Sequence, residues 1–234
     1  MAKIVIELQH EALKSNFDIM NLLRKAYLVA RKLKLQEFED WINNELNGYK
    51  DLEKIPDYRL LRGEIKAWNP YRGWIPVILQ NDNEKITTHL ASDSLANLLN
   101  VYENSENKSA VLRFNPTMNN LLSKCSDFNT KYALIIGTNQ IYDIIERVRN
   151  IILDWSITLE ENGILGEELQ FSDAEKEIAN KTPVINHYTN NFWDIDPVTV
   201  MCDSINDRIS QRTVITAKLI IPFFESILRA ENCR

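Results

Sequence analysis

The sequence predicts an α+β protein, predominantly helical, and three observations predict it. Gly and Pro are scarce, six and seven in 234 residues, which leaves few of the turn signals an all-β fold requires. Ile141, Ile144, Ile145, Val148, Ile151, Ile152, Trp155 and Leu159 advance by threes and fours, the pattern of one buried helical face. Between Lys54 and Leu79, by contrast, Pro56, Gly63, Pro70, Gly73 and Pro76 punctuate short runs that suit strands. The expected layout is an N-terminal helical hairpin, a small strand-containing middle, a long central amphipathic helix and a helical C-terminal tail.

Each element has its own signal. Ile4–Leu33 reads as helix because Val5, Leu8, Ala12, Ile19, Leu23, Ala26, Ala30 and Leu33 recur at helical spacing with no Gly or Pro between them. A second helix carries Phe38, Trp41, Ile42 and Leu46 on one face, and Gly48 stops it, completing a hairpin over 1–50. Gly63–Trp68 and Trp74–Leu79 read as two strands joined around Asn69–Gly73. Ser92 or Asp93 would cap a helix bearing Leu95, Leu98, Leu99 and Tyr102. Ala110–Phe114 is a third strand, Pro116 suits the first position of a short helix, and Tyr132–Ile136 is a fourth strand, so 54–136 is the mixed part. Thr138 would cap the long helix, which is clearest from Gln140 to Glu161 and ends at Gly163. Ser172-x-x-Glu175 is a capping box opening a helix to about Asn180. The segment 138–180 thus closes a domain over 1–182, and 183–234 reads as a helical extension after an irregular stretch from Thr182 to Pro197.

Composition narrows the function. A net charge of −6 argues against a surface that binds nucleic acid throughout, while leaving room for a local basic patch. Cys125, Cys202 and Cys233 lie far apart, which suits reduced thiols in a cytoplasm rather than a disulfide framework or a zinc site. The N-terminus turns polar too early for a signal peptide, and Val214–Leu228 holds Lys218, Pro222 and Glu225, too polar for a span. No membrane association, cofactor or metal is expected.

Pro56-Asp57 followed by Glu64-Ile65-Lys66 spells the pattern of metal-dependent nucleases, in which carboxylates hold Mg²⁺ and the lysine positions water. Glu64 and Lys66 would share a strand face, but the six residues between Asp57 and Glu64 leave little room for the neighbouring strands such sites use. A solvated strand edge is the plainer reading. Neither His10, His89 nor His187 has an arginine at ribonuclease-motif spacing, and no G-x-S-x-G occurs; His187 is the best isolated histidine. Arg59, Arg62, Lys66 and Arg72 interleave with Tyr58, Trp68, Tyr71 and Trp74, the mixture single-stranded nucleic acid needs. Arg59, Arg62, Arg72 and Trp74 are therefore the candidate binding residues, set against the reading in which the rings pack the sheet and the charges solvate its rim. Arg147 and Arg149 are expected to pair within the long helix.

Three stretches of the chain resemble the AbiTii family, one component of a two-gene abortive-infection system against bacteriophage. The first is Lys32–Leu35 with Phe38, Trp41-Ile42 and Glu45–Tyr49. The second is Ile55–Arg59 with Gly63, Pro70, Gly73-Trp74 and Pro76. The third is Val148–Asn150, Ile152-Leu153, Trp155, Leu159-Glu160, Gly163-Ile164, Gly166-Glu167, Phe171-Ser172 and Glu175-Lys176. Together they span about Leu28 to Asn180. The resemblance implies phage defence alongside a neighbouring gene product, in a toxin-and-controller arrangement, and brings no catalytic residues with it. The expectation is a cytoplasmic, non-enzymatic protein that binds a partner protein or phage product, with self-association through helical faces. Tyr27, Phe38 and Trp41 of the hairpin are the expected contact surface. The alternative is a nuclease-type toxin using Asp57, Glu64 and Lys66.

Overall fold

Helix growth at the N-terminus stops where side chains offer the backbone better partners than another turn would. The single helix expected over Ile4–Leu33 is two, α1 (Ile4–Leu13) and α2 (Ile19–Leu33). The Asp18 carboxylate accepts from the Met20 and Asn21 N–H groups, both at 3.0 Å, and so begins α2 afresh. At the other side of the break, Arg149 donates to the Ala12 carbonyl and, at 3.0 Å, to that of Lys14. Its guanidinium lies 4.0 Å from the centre of the Phe17 ring. Arg149 also bonds Glu146 at 3.1 Å, so the pairing expected within its helix is present but secondary.

The computed structural model describes residues 3–77, 84–126, 128–167 and 169–181. The helical tail expected over 183–234, together with His187, Cys202 and Cys233, lies outside them. Lys34 in the left-handed conformation (φ 61°) turns α2 into α3 (Gln36–Asn47), with the Leu35 N–H donating back to Ala30 at 3.0 Å. Gly48, at φ 88°, ends α3; a Cβ there would stand 3.0 Å from the Ser92 carbonyl oxygen.

The middle forms an antiparallel sheet of β1 (Leu60–Asn69), β2 (Gly73–Pro76), β3 (Thr88–Leu90), β4 (Ser109–Arg113) and β5 (Tyr132–Gly137). Its order is β2-β1-β5-β4, with β3 paired to the first residues of β1. Neither β3 nor the turn of helix before it, α4 (Glu84–Thr87), was foreseen, because three residues are too few to show alternation. Ser94, not Ser92 or Asp93, caps α5 (Leu95–Asn104), its hydroxyl accepting from Asn97 at 3.3 Å. Asn115 caps α6 (Pro116–Cys125), with Pro116 at its first position. Then follow α7 (Thr138–Glu161) and α8 (Asp173–Lys181). Thr138 is the first residue of α7 and does not cap it; Gly137 holds that place without a side-chain bond.

The alternation along β1 buries Leu61, Ile65 and Ala67 and turns Leu60, Glu64 and Trp68 outward. The buried face, with Tyr132, Leu134 and Ile136 of β5, joins the helices in one core. All eight apolar positions of α7 are at most 2% exposed. Because α7 packs against α1 and α2, the N-terminal helices have a partner on the flank where the sequence suggested a spare surface. Phe38 is 1% and Trp41 6% exposed, with Phe38 4.1 Å from the Trp155 ring, so these aromatics are core rather than a contact surface.

At Gly63 the backbone of β5 leaves no room for a side chain. A Cβ there would meet the Ile135 carbonyl oxygen at 2.6 Å and Leu134 Cγ at 2.8 Å. Gly63→Ala is expected to lower stability by about 1–3 kcal/mol through overpacking, measured as a shift in the urea midpoint.

The capping box forms as read, and Glu175 goes beyond it. Its carboxylate accepts from the Ser172 N–H (2.8 Å) and hydroxyl (2.9 Å), and from the Leu165 (3.1 Å) and Gly166 (3.2 Å) N–H groups. Burial pushes this carboxyl up, but those bonds prevail and hold it below its ordinary value of 4.5. A depressed folded-state value contributes stability above the unfolded one and loses it as pH falls. Glu175→Ala is expected to cost about 1–2 kcal/mol at neutral pH and to flatten the stability decline in acid, as read from melts at neutral and acid pH.

Candidate functional site

Strand register decides which side chains share the outward face. On β1 these are Arg62, Glu64, Lys66 and Trp68; across the ladder stand Trp74 and Pro76 of β2, Ala133, Ile135 and Gly137 of β5, and Ser109, Val111 and Arg113 of β4. Val111 is 47% and Trp68 40% exposed, and neither they nor Ile135 belong to the core. Trp68 and Trp74 face each other in register, edge to face, with ring centres 5.3 Å apart. Lys66 and Glu64 pair at 3.5 Å on the same side of β1, with Glu64 largely in water. Arg62, Gly63, Glu64, Lys66, Ser109 and Ile135, with Gln140, border a shallow concavity of about 390 Å³.

The frame under this face is fixed by Gln140, in the first turn of α7. Its amide donates to the Arg62 carbonyl at 2.7 Å and its oxygen accepts from the Arg62 N–H at 2.8 Å. A side-chain amide thus occupies the place where another residue of β5 would have continued the ladder.

The structure treats the candidate residues unequally. Arg62 and Lys66 lie on the open face, Trp74 beside them, and Arg72 is exposed in the turn between β1 and β2. Arg59 does not join them: it is fully buried. Its Nε donates to Glu45 at 3.1 Å and its other nitrogens to Glu45 and to the Ala91 and Asp93 carbonyls, both at 2.7 Å. The Tyr49 ring lies 4.9 Å away. Glu45 accepts in addition from the hydroxyls of Tyr49 (2.7 Å) and Tyr58 (2.6 Å), and Trp41 donates to Tyr58 at 3.0 Å. Burial pushes both phenols well above their ordinary value, and the Glu45 charge adds to it. For Arg59, burial acts downward but the Glu45 carboxylate outweighs it and raises the value.

The residues of the nuclease pattern lie on two neighbouring elements. Glu64 and Lys66 are neighbours, but Asp57 sits in the 3₁₀ turn Asp57–Arg59 ahead of β1. Glu64 lies four residues into the strand, roughly 13 Å from Leu60. Among the described residues no group of three or more His, Cys, Asp or Glu is arranged to hold a metal ion.

Arg113 is the residue of this face that sequence reasoning missed. It reaches the face only because β4 and β1 both pair with β5, placing Lys66, Ala133 and Arg113 in one row. A second cavity, of about 370 Å³, opens beside α5 and is lined by His89, Asp93, Leu98 and Val101. Burial holds the His89 imidazole below its ordinary 6.5, with Asp93 opposing.

Helices over one face of a small antiparallel sheet, with cations and rings on the other, define a two-layer α+β protein with an open sheet surface. The AbiTii family model matches residues 3–184, and the chain belongs to the AbiTii family, which is associated with abortive infection against bacteriophage. No curated protein and no solved structure matches the chain. No helix among the described residues is long and apolar enough to cross a membrane.

Proposed function

We propose that the chain serves phage defence in the cytoplasm as a binding component, engaging a host or phage product through the open face of its sheet. The observation that carries this is the pairing of exposed Val111 and Trp68 with Lys66 and Arg113 on one surface, away from the core. Exposed apolar side chains rimmed by charge are what contact surfaces present. The buried Arg59–Glu45 network supports the same division: the polar groups of the family signature that look chemical in sequence are spent on holding α3 to the sheet.

The nuclease alternative draws its support from the paired Glu64 and Lys66, with Asp57 in the turn ahead of β1. Phage plating on cells carrying the full chain with its neighbouring gene separates the two. Glu64→Ala is expected to retain protection, and Val111→Glu combined with Arg113→Glu to lose it at unchanged thermal stability. Loss in Glu64→Ala with protection kept in the double variant would move the function to nuclease chemistry.

A further inference from the structure

We infer that the occupant of the open sheet face is single-stranded nucleic acid, an inference that rests on this face being the binding surface proposed above. Charge is the first argument. The chain carries a net −6, yet Arg62, Lys66 and Arg113 gather on this face, where Glu64 pairs with Lys66 at 3.5 Å. At the same end as the paired tryptophans, exposed Arg72 and Lys131 add to it, with the Lys131 carbonyl accepting from the Trp68 N–H at 2.8 Å. A concentration of positive charge on an acidic protein marks a place for a polyanion.

Spacing is the second. Arg62 and Lys66 are four strand residues apart, roughly 13 Å, and Lys66 and Arg113 two strand spacings apart, roughly 10 Å. Cations so spread follow a chain of phosphates and do not close around one anion.

The rings are the third. Trp68 is 40% and Tyr71 96% exposed, and Trp74 stands against Trp68. Exposed indole and phenol faces stack on bases, and bases offer their faces only when the strand is unpaired. A protein partner would complement Val111 and Ile135 but would have to supply a carboxylate for each cation it desolvated. None of these contacts reads the sugar, so RNA and DNA strands should bind alike.

The full chain is titrated into fluorescein-labelled oligothymidine and oligouridine of about twenty residues, and into the matching duplex, by fluorescence anisotropy. Both single strands are expected to bind within about threefold of each other and more tightly than the duplex. Three phosphate contacts on a single strand predict a roughly 20-fold weakening between about 50 and 200 mM salt. The triple variant Arg62→Ala, Lys66→Ala, Arg113→Ala should lose about tenfold or more at low salt and most of that slope. Trp68→Ala should lose about fivefold or more with the slope intact. Lys66→Arg with Arg113→Lys should keep both affinity and slope, which separates charge from folding damage.

No binding by the full chain at low salt, or equal binding by the triple variant, overturns the inference. If plating nevertheless depends on Val111 and Arg113, the face stands and its occupant is a protein. If oligonucleotide binding depends on the face but plating does not, this inference stands and the proposed function falls.

Discussion

Arg59→Ala is expected to destabilise the chain by about 3–5 kcal/mol, the cost of breaking a buried ion pair from one side. Both partners are fully buried. With the guanidinium gone, the Glu45 carboxylate keeps the two phenols as donors but loses its counter-charge, and the Ala91 and Asp93 carbonyls lose the donor they share. Arg59→Lys should recover only part of the loss, because one ammonium cannot reach Glu45 and two carbonyls in the planar fork that Arg59 uses. Urea titrations of the variants check this, and a loss under about 1 kcal/mol for Arg59→Ala would mean that water reaches the pair. The same network sets an alkaline limit. Tyr49 and Tyr58 are held above their ordinary 10.0, so they contribute stability below that value and lose it as pH rises past it, where the unfolded phenols ionise first. Tyr58→Phe should shallow the alkaline decline.

Trp155→Ala should cost about 3–5 kcal/mol, and Trp155→Phe about 1 kcal/mol or less. The indole is 2% exposed and packs on Phe38 at 4.1 Å, so truncation to Ala opens a cavity between α7 and α3. Its Nε1 is buried with no hydrogen-bond partner among the described residues. Phenylalanine keeps the ring contact and removes that unsatisfied donor, which offsets part of the lost volume. Thermal melts of the two variants measure the contrast; equal losses would show that the full indole outline matters more than the orphaned N–H.

The long helix was legible because its evidence is local: eight apolar residues in phase need no knowledge of what covers them. The role of its Arg149 was not, since the carbonyls it satisfies, those of Ala12 and Lys14 at the end of α1, lie more than a hundred residues earlier. Arg59 shows the sharper failure. Beside Arg62 and Tyr58 it read as one more solvated cation, and only the fold brings Glu45 to it. The open face was half readable. Period-two alternation put Glu64 and Lys66 on one side, whereas Arg113 needed the pairing of two strands through a third. The hairpin aromatics misled because amphipathic pattern says that a face is covered, not by what.

The Gln140 amide against Arg62 has a consequence for fidelity. Consecutive residues of a strand send their N–H and C=O groups to opposite edges, so the amide accepts Arg62 and rejects Leu61 or Gly63. A slip of β1 by one place would break both bonds and turn Arg62, Lys66 and Trp68 inward at a stroke. Gln140 therefore works as a phase reference, a single side chain that tells a whole strand which way is out.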